Sequence, residues 1–186
     1  MSNRPPSQVS EPRCRDLVML AEGTPEGCFV EVGVYKGGSA WHLYQVAQKQ
    51  GRKLHLFDTF SGMPFQDTGD QFPQGSFFDT KPETVQSWMP LAILHVGTFP
   101  ATMHPAVKDV AFAHFDCDQY RSTRDCIHEF LPRMVDGGIM AFDDYPEIPG
   151  VVKAVNEVFR EKGVWFTDHK FAHVRLQRSG SHVLAT

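Results

Sequence analysis

Five short apolar runs recur along the chain: CFVEVGV (28–34), LHLFD (54–58), LAILHVG (91–97), AFAHFD (111–116) and IMAFD (139–143). Segments with helical spacing separate them. Short, continuous apolar runs of this kind read as strands buried on both faces, and strands joined by helical crossovers assemble into a parallel sheet. The pattern therefore predicts an α/β, doubly wound, mostly parallel sheet with helices on both faces. After the fifth run, Val152, Val155 and Phe159 lie on one face of a helix that ends at Gly163. VWFT and FAHVRLQ then flank Asp168, His169 and Lys170 as a C-terminal antiparallel hairpin, which brings the sheet to seven strands.

Local signals place the connecting elements. Ser39 is the expected N-cap of a first helix carrying Ala40, Leu43, Tyr44 and Ala47 on one stripe, with Gly51 beyond its end. A short helix is predicted near 82–89, and another helical segment before the fourth strand. Ser122 and Asp125 have the spacing of a capping box, and Ile127, Phe130, Leu131 and Met134 form an inward stripe that Gly137 and Gly138 terminate. Thr59 to Lys81 is irregular and rich in Gly, Pro and Phe, longer than most loops in compact domains, and reads as a lid. The domain organisation follows: a disordered tail over 1–13 with three prolines, one domain over 14–178, and a C-terminal tail over 179–186.

At 186 residues the chain is long enough for one domain with a sizeable core. Its formal charge of −4 disfavours a nucleic-acid partner. Cys14, Cys28, Cys117 and Cys126 contain no C-x-x-C pair and read as reduced thiols. The polar N-terminus and the lack of a long apolar run predict neither a signal peptide nor a membrane partner, so the cytoplasm is the expected location.

Ligands of open α/β sheets bind beyond the carboxyl ends of the strands. EVGVYKGGS lies at such an end, but its glycines, Gly33, Gly37 and Gly38, do not have the spacing of a dinucleotide loop, and Glu31 precedes the first of them. An acid there suits an amino-bearing ligand better than a pyrophosphate. Asp58 closes the second strand, from which a carboxylate can accept both hydroxyls of a ribose. Together these features suggest S-adenosylmethionine, with its ribose toward Asp58 and its amino-acid end toward the Glu31/Gly33 turn. Plain turn geometry at Gly37 and Gly38, a buried ion pair at Glu31 and loop hydrogen bonding at Asp58 are the competing readings.

FDCDQY (115–120) and FDDY (142–145) end the fourth and fifth strands in paired acids. If those strands are neighbours, Asp116, Asp143 and Asp144 converge, and their repulsion is relieved by a hard divalent cation such as Mg²⁺. Asp118 reads equally as an outer ligand, a cofactor contact or part of the next helix's first turn. His95 and His114 lie in strand patterns and read as packed residues rather than ligands.

EVGVYKGGS, LFDTFSGMP, GTFPAT, HFDCDQYRSTRD, FLPRMVDGGIMAFDDY and PGVVKAVNEVF together resemble the macrocin O-methyltransferase family over about 29–159. The resemblance implies a Rossmann-like class I methyltransferase fold and transfer of a methyl group from S-adenosylmethionine to a hydroxyl of a sugar or natural-product acceptor. It implies cofactor contacts at Glu31, Gly33, Ser39 and Asp58, with Val34, Tyr35, Gly37, Thr59, Gly97 and Thr98 counted beside them. It also implies magnesium or another hard divalent cation on Asp116, Asp143 and Asp144, with Asp116 as catalytic base. A homodimer is the expected assembly. The rival readings are a magnesium-dependent phosphatase of haloacid-dehalogenase type, which also uses D-x-D, and a non-catalytic module that binds the cofactor without turnover.

Overall fold

The structure, a computed structural model, describes residues 4–67, 69–160, 163–179 and 182–185. In chain order it contains α1 (Glu11–Glu22), β1 (Cys28–Val32), α2 (Gly38–Lys49), β2 (Leu54–Asp58), α3 (Pro82–Trp88), β3 (Ile93–Val96), β4 (Val110–Phe115), α4 (Tyr120–Phe130), β5 (Met134–Phe142), α5 (Pro149–Phe159), β6 (Trp165–Phe166), β7 (Ala172–Ser179) and β8 (His182–Ala185). Seven strands follow the order β3-β2-β1-β4-β5-β7-β6, and β8 pairs with the far part of β7. β1 to β5 are mutually parallel where they pair, and β7 runs antiparallel to β5 and β6. This is the doubly wound sheet with its terminal hairpin. Among the described residues no helix is long and apolar enough to cross a membrane.

The strands are apolar on both faces because each face has its own helical cover. On one side Val30, Val32, Phe115, Met140 and Phe142 pack against Ile127, Phe130, Val151 and Val155 of α4 and α5. On the other, Phe29, Phe112, Ile139 and Ala141 pack against Leu17, Ala21, Leu43 and Ala47 of α1 and α2. Burying a large apolar side chain stabilises the fold by roughly 1.5–3 kcal/mol, so the two layers, not helix propensity, hold the helices in place.

Several local expectations are corrected. The segment expected as a tail over 1–13 already contains the start of α1, whose stripe Cys14, Leu17, Leu20 and Ala21 is buried, and Val9 is only 7% exposed. At the other end, described residues of the expected 179–186 tail form β8. Gly37, in the left-handed region, occupies the N-cap of α2 rather than Ser39, and Gln119 rather than Ser122 caps α4. Gly137 and Gly138 do not stop that helix. It ends at Phe130 in a short 3-10 turn, and both glycines belong to β5. Residues 98–109, where a helical segment was expected, form turns.

α1 is fastened to the hairpin by Asp16, which accepts hydrogen bonds from the Thr167 hydroxyl, the His169 backbone N–H and His169 Nδ1 (2.9 Å). Burial pushes the Asp16 carboxyl up, but the bonds from Thr167 and His169 outweigh it and hold the group below its ordinary value. A carboxyl lowered in this way contributes stability above the unfolded-state pKa of about 3.9, and that stability is lost as pH falls through the lower folded value. Asp16→Ala is expected to reduce the unfolding free energy by about 1 kcal/mol at pH 7, since three part-buried donors lose their acceptor. In urea titrations followed by circular dichroism, the difference from wild type should shrink below pH about 4.

Candidate active site

The register of the parallel strands levels three chain turns. Val32 pairs with Phe115, and Phe115 with Phe142. The ladder runs one residue further, with the Asp116 N–H on the Val32 carbonyl (2.9 Å) and the Asp143 N–H on the Phe115 carbonyl (3.1 Å). Gly33, Asp116 and Asp143 thus stand side by side at the carboxyl edge, at the point where strand order reverses. Gly33 has φ +87°, and a Cβ there would overlap the Asp116 carbonyl oxygen. Glycine is required by this approach.

A cavity of about 460 Å³ opens over that edge. One end is lined by Gly33, Val34, Tyr35, Ser39, Asp58, Thr59 and Gly97, and the other by Asp116, Asp118, Asp143 and Asp144. Gly37 and Thr98 do not line it. A Cβ on Gly37 would face Met89 and Val85, and Thr98 is exposed. The long loop over 59–81 closes one side with Met63, Phe72 and Phe77. Gln119 Nε2 anchors it by donating to the Phe65 carbonyl (2.8 Å) and to Asp70 (3.0 Å). Tyr35 and Lys36 hold its far end through Asp79, each at 2.6 Å. Pro6 to Val9 supply a wall that the sequence did not suggest, and Ser7 lies so close to Gly38 that a side chain there would overlap it.

Asp58 organises the glycine turn. Its Oδ2 accepts the N–H groups of Val34 (2.7 Å) and Tyr35 (2.8 Å), and its Oδ1 accepts that of Phe60 (2.7 Å). Three of the carboxylate's roughly four acceptor directions are thereby used. Glu31 does not reach the cavity. Side chains alternate along β1, so Val30 and Val32 face α4 while Glu31 is turned into the opposite layer and fully buried. There its Oε1 accepts the Ser39 hydroxyl (2.5 Å) and contacts His114 Nδ1 (3.1 Å). His114 therefore has a polar role, and so does His95, whose Nε2 lies 3.0 Å from His55 Nδ1 while its ring stacks on Phe57 with centroids 4.2 Å apart.

Carboxylate oxygens of Asp116, Asp118 and Asp144 all lie within 4.8 Å of one another. Asp143, expected in that set, is instead drawn off by Arg13 of α1, which contacts its Oδ1 at 3.1 Å and also donates to its carbonyl. Asp118 takes the vacated place. Its positive φ of 56°, tolerated by aspartate, bends the chain out of β4 and into α4. Burial, and then the charges of Asp143, Asp144, Asp118 and Glu31, push Asp116 well above the ordinary carboxylate range. Burial and Asp143 raise Asp118 to about 7, and burial with Asp118 and Asp143 raises Asp144 to about 8. Asp144 Oδ2 is buried with no hydrogen-bond partner among the described residues. An all-oxygen trio with an unmet buried acceptor fits a hard divalent cation.

The profile of the macrocin-O-methyltransferase family matches residues 14–166. The 8-demethyl-8-(2,3-dimethoxy-alpha-L-rhamnosyl)-tetracenomycin-C 4'-O-methyltransferase of Streptomyces olivaceus is 26% identical over 155 residues, 68% of this chain. The chain spans 56% of that relative's length. Among solved structures, the O-methyltransferase NovP has a TM-score of 0.80 at 22% identity, covering 92% of this chain and 82% of that one. CalS11, a calicheamicin methyltransferase, has a TM-score of 0.73 at 22% identity, covering 88% and 77%. These two likenesses establish the shared fold.

Without a cation, the fold binds protons that the unfolded chain has released, because Asp118 and Asp144 titrate near 7 and 8 only when folded. Raised folded values make stability fall as pH rises from about 4, the unfolded value, through that range. In chelator, the melting temperature of the wild type should drop between pH 5 and pH 8.5, whereas Asp144→Asn should flatten the drop and melt higher at pH 8.5. Differential scanning calorimetry across that range checks both.

Proposed function

The chain belongs to the macrocin O-methyltransferase family, and we propose that it transfers the methyl group of S-adenosylmethionine to a hydroxyl of a sugar or natural-product acceptor, assisted by a divalent cation, Mg²⁺ by its ligand set. The observation that carries the reading is that one cavity joins the Gly33 turn to the carboxylate trio. Its volume lies within the range of small-molecule sites.

In this reading the cofactor lies along Gly33, Val34, Tyr35, Ser39, Thr59 and Gly97. Asp58, with about one acceptor direction left, takes one ribose hydroxyl rather than two. Asp116, Asp118 and Asp144 hold the cation, which when bound supplies positive charge that makes a neighbouring hydroxyl more acidic. Arg13 keeps Asp143 occupied and out of that group. Asp116, whose backbone meets Gly33 and whose carboxylate belongs to the trio, accepts the acceptor's hydroxyl proton. The oxygen then attacks the methyl carbon in line as the carbon–sulfur bond breaks, leaving neutral S-adenosylhomocysteine. The donor is already activated, so positioning supplies much of the acceleration. Phe72 and Phe77 exclude water from the reacting groups.

Asp116→Asn should retain the wild-type circular dichroism spectrum and S-adenosylhomocysteine binding while methyl transfer drops at least a hundredfold, the scale of lost general-base catalysis. Exhaustive chelation should also abolish transfer, and Mg²⁺ should restore it. The assay follows radiolabelled methyl incorporation across a panel of glycosylated natural products. Undiminished activity in either arm would contradict the assignment.

A further inference from the structure

The long loop over the cavity has no core of its own. None of its described residues from 61 to 80 is buried. It braces itself with bonds from the Met63 N–H to the Ser76 carbonyl (2.8 Å), from the Gly75 N–H to the Met63 carbonyl (3.0 Å) and from the Gln74 N–H to Gln66 Oε1 (2.7 Å). A two-stranded turn without a core is marginally stable at best, so its order comes from its attachments to the body. At the Asp79 end these are an exposed ion pair with Lys36, an exposed bond from the Tyr35 hydroxyl, and the Thr80 hydroxyl on the Tyr35 carbonyl (2.6 Å). Exposed ion pairs stabilise little.

The other attachment is sheltered. Gln119 is only 1% exposed and donates from Nε2 to the Phe65 carbonyl (2.8 Å) and to Asp70 Oδ2 (3.0 Å), while its Oε1 accepts the Ser122 hydroxyl (3.3 Å). Both amide protons and the amide oxygen are used, and turning the amide over would set its oxygen against two acceptors, so the side chain has one orientation. Arg121 adds its guanidinium over the Phe65 ring, 4.0 Å from the centroid. Gln119 directly follows Asp118, whose φ of +56° lets the Gln119 N–H close back on the Cys117 carbonyl (2.6 Å). This tight three-residue turn sends one side chain to the acidic trio and the next to the loop.

We infer that Gln119 is a positioning residue that ties the loop to the Asp118 turn, so that fixing Asp118 on a cation also fixes Phe72 and Phe77 over the cavity. The inference rests on the trio being the cation site. Such coupling is reciprocal: the tied loop strengthens cation binding by the factor by which bound cation strengthens the loop's attachment.

Hydrogen exchange followed by mass spectrometry on the folded full chain, at neutral pH with and without Mg²⁺, reads the attachment at loop amides 61–66 and 71–78. The amides of β1 are the fold control, and calorimetry on the same samples reads Mg²⁺ affinity. Without Mg²⁺, Gln119→Ala should exchange its loop amides about tenfold faster than wild type, the scale of a lost sheltered hydrogen bond, with β1 unchanged. Gln119→Glu, which has no amide proton to donate, should exchange at least as fast, and adding Asp70→Asn, whose amide donates in the opposite direction, should restore part of the protection. Saturating Mg²⁺ should slow loop exchange about fivefold in wild type and not in Gln119→Ala, and Mg²⁺ should bind that variant about fivefold more weakly. Should the Ala variant fail to fold, Asp70→Ala, which cuts the tie from the loop side, is read in its place and should move both readouts in the same direction. Wild type that takes up no Mg²⁺ overturns the cation reading and the inference with it. Mg²⁺ uptake that leaves loop exchange unchanged, a change in one readout without the other, or loop exchange in Gln119→Ala equal to wild type overturns the inference alone.

Discussion

The contact between Gly33 and the backbone of Asp116 is the constraint on which the site depends. Parallel pairing of β1 with β4 fixes the level of both residues, and the missing side chain at Gly33 lets the two turns touch. Without that approach the glycine-turn end and the acidic end of the cavity would be separated. With it, the glycine turn and the acidic trio share one wall, so their relative geometry is set by the sheet.

Electrostatics then divides four neighbouring acids among different tasks. Placed together and unpaired, Asp116, Asp118, Asp143 and Asp144 would repel strongly in a partly enclosed space. Arg13 pairs with one of them, and the remaining three keep carboxylate oxygens within 4.8 Å of one another. Selection of the trio is therefore made by a residue from the first helix, more than a hundred positions earlier in the chain.

That distance explains what could and could not be read from the sequence. The strands were legible because burial on both faces writes continuous apolar runs, and the terminal acids were legible because they interrupt those runs at one level. Asp118 could not be assigned from alternation, since its left-handed backbone ends the extended stretch that alternation presumes. The Arg13–Asp143 pairing was not legible because Arg13 lies in a proline-bearing segment whose stripe, Cys14, Leu17 and Ala21, begins where the expected tail ends. Glu31 was read as a ligand contact by its position beside the glycines. Period-two alternation with Val30 and Val32 was the available signal that it faces the other layer. Turn and cap details failed where glycine served a strand or a left-handed cap instead of a helix stop.

The segment from Pro6 to Val9 resting on Gly38 carries a practical consequence. Proline-rich leaders are routinely trimmed, or replaced by purification tags, on the assumption that they are inert. Here such trimming would strip a side from the cavity and expose the start of α2 to solvent. Measurements on a shortened chain would then report on a differently shaped cavity.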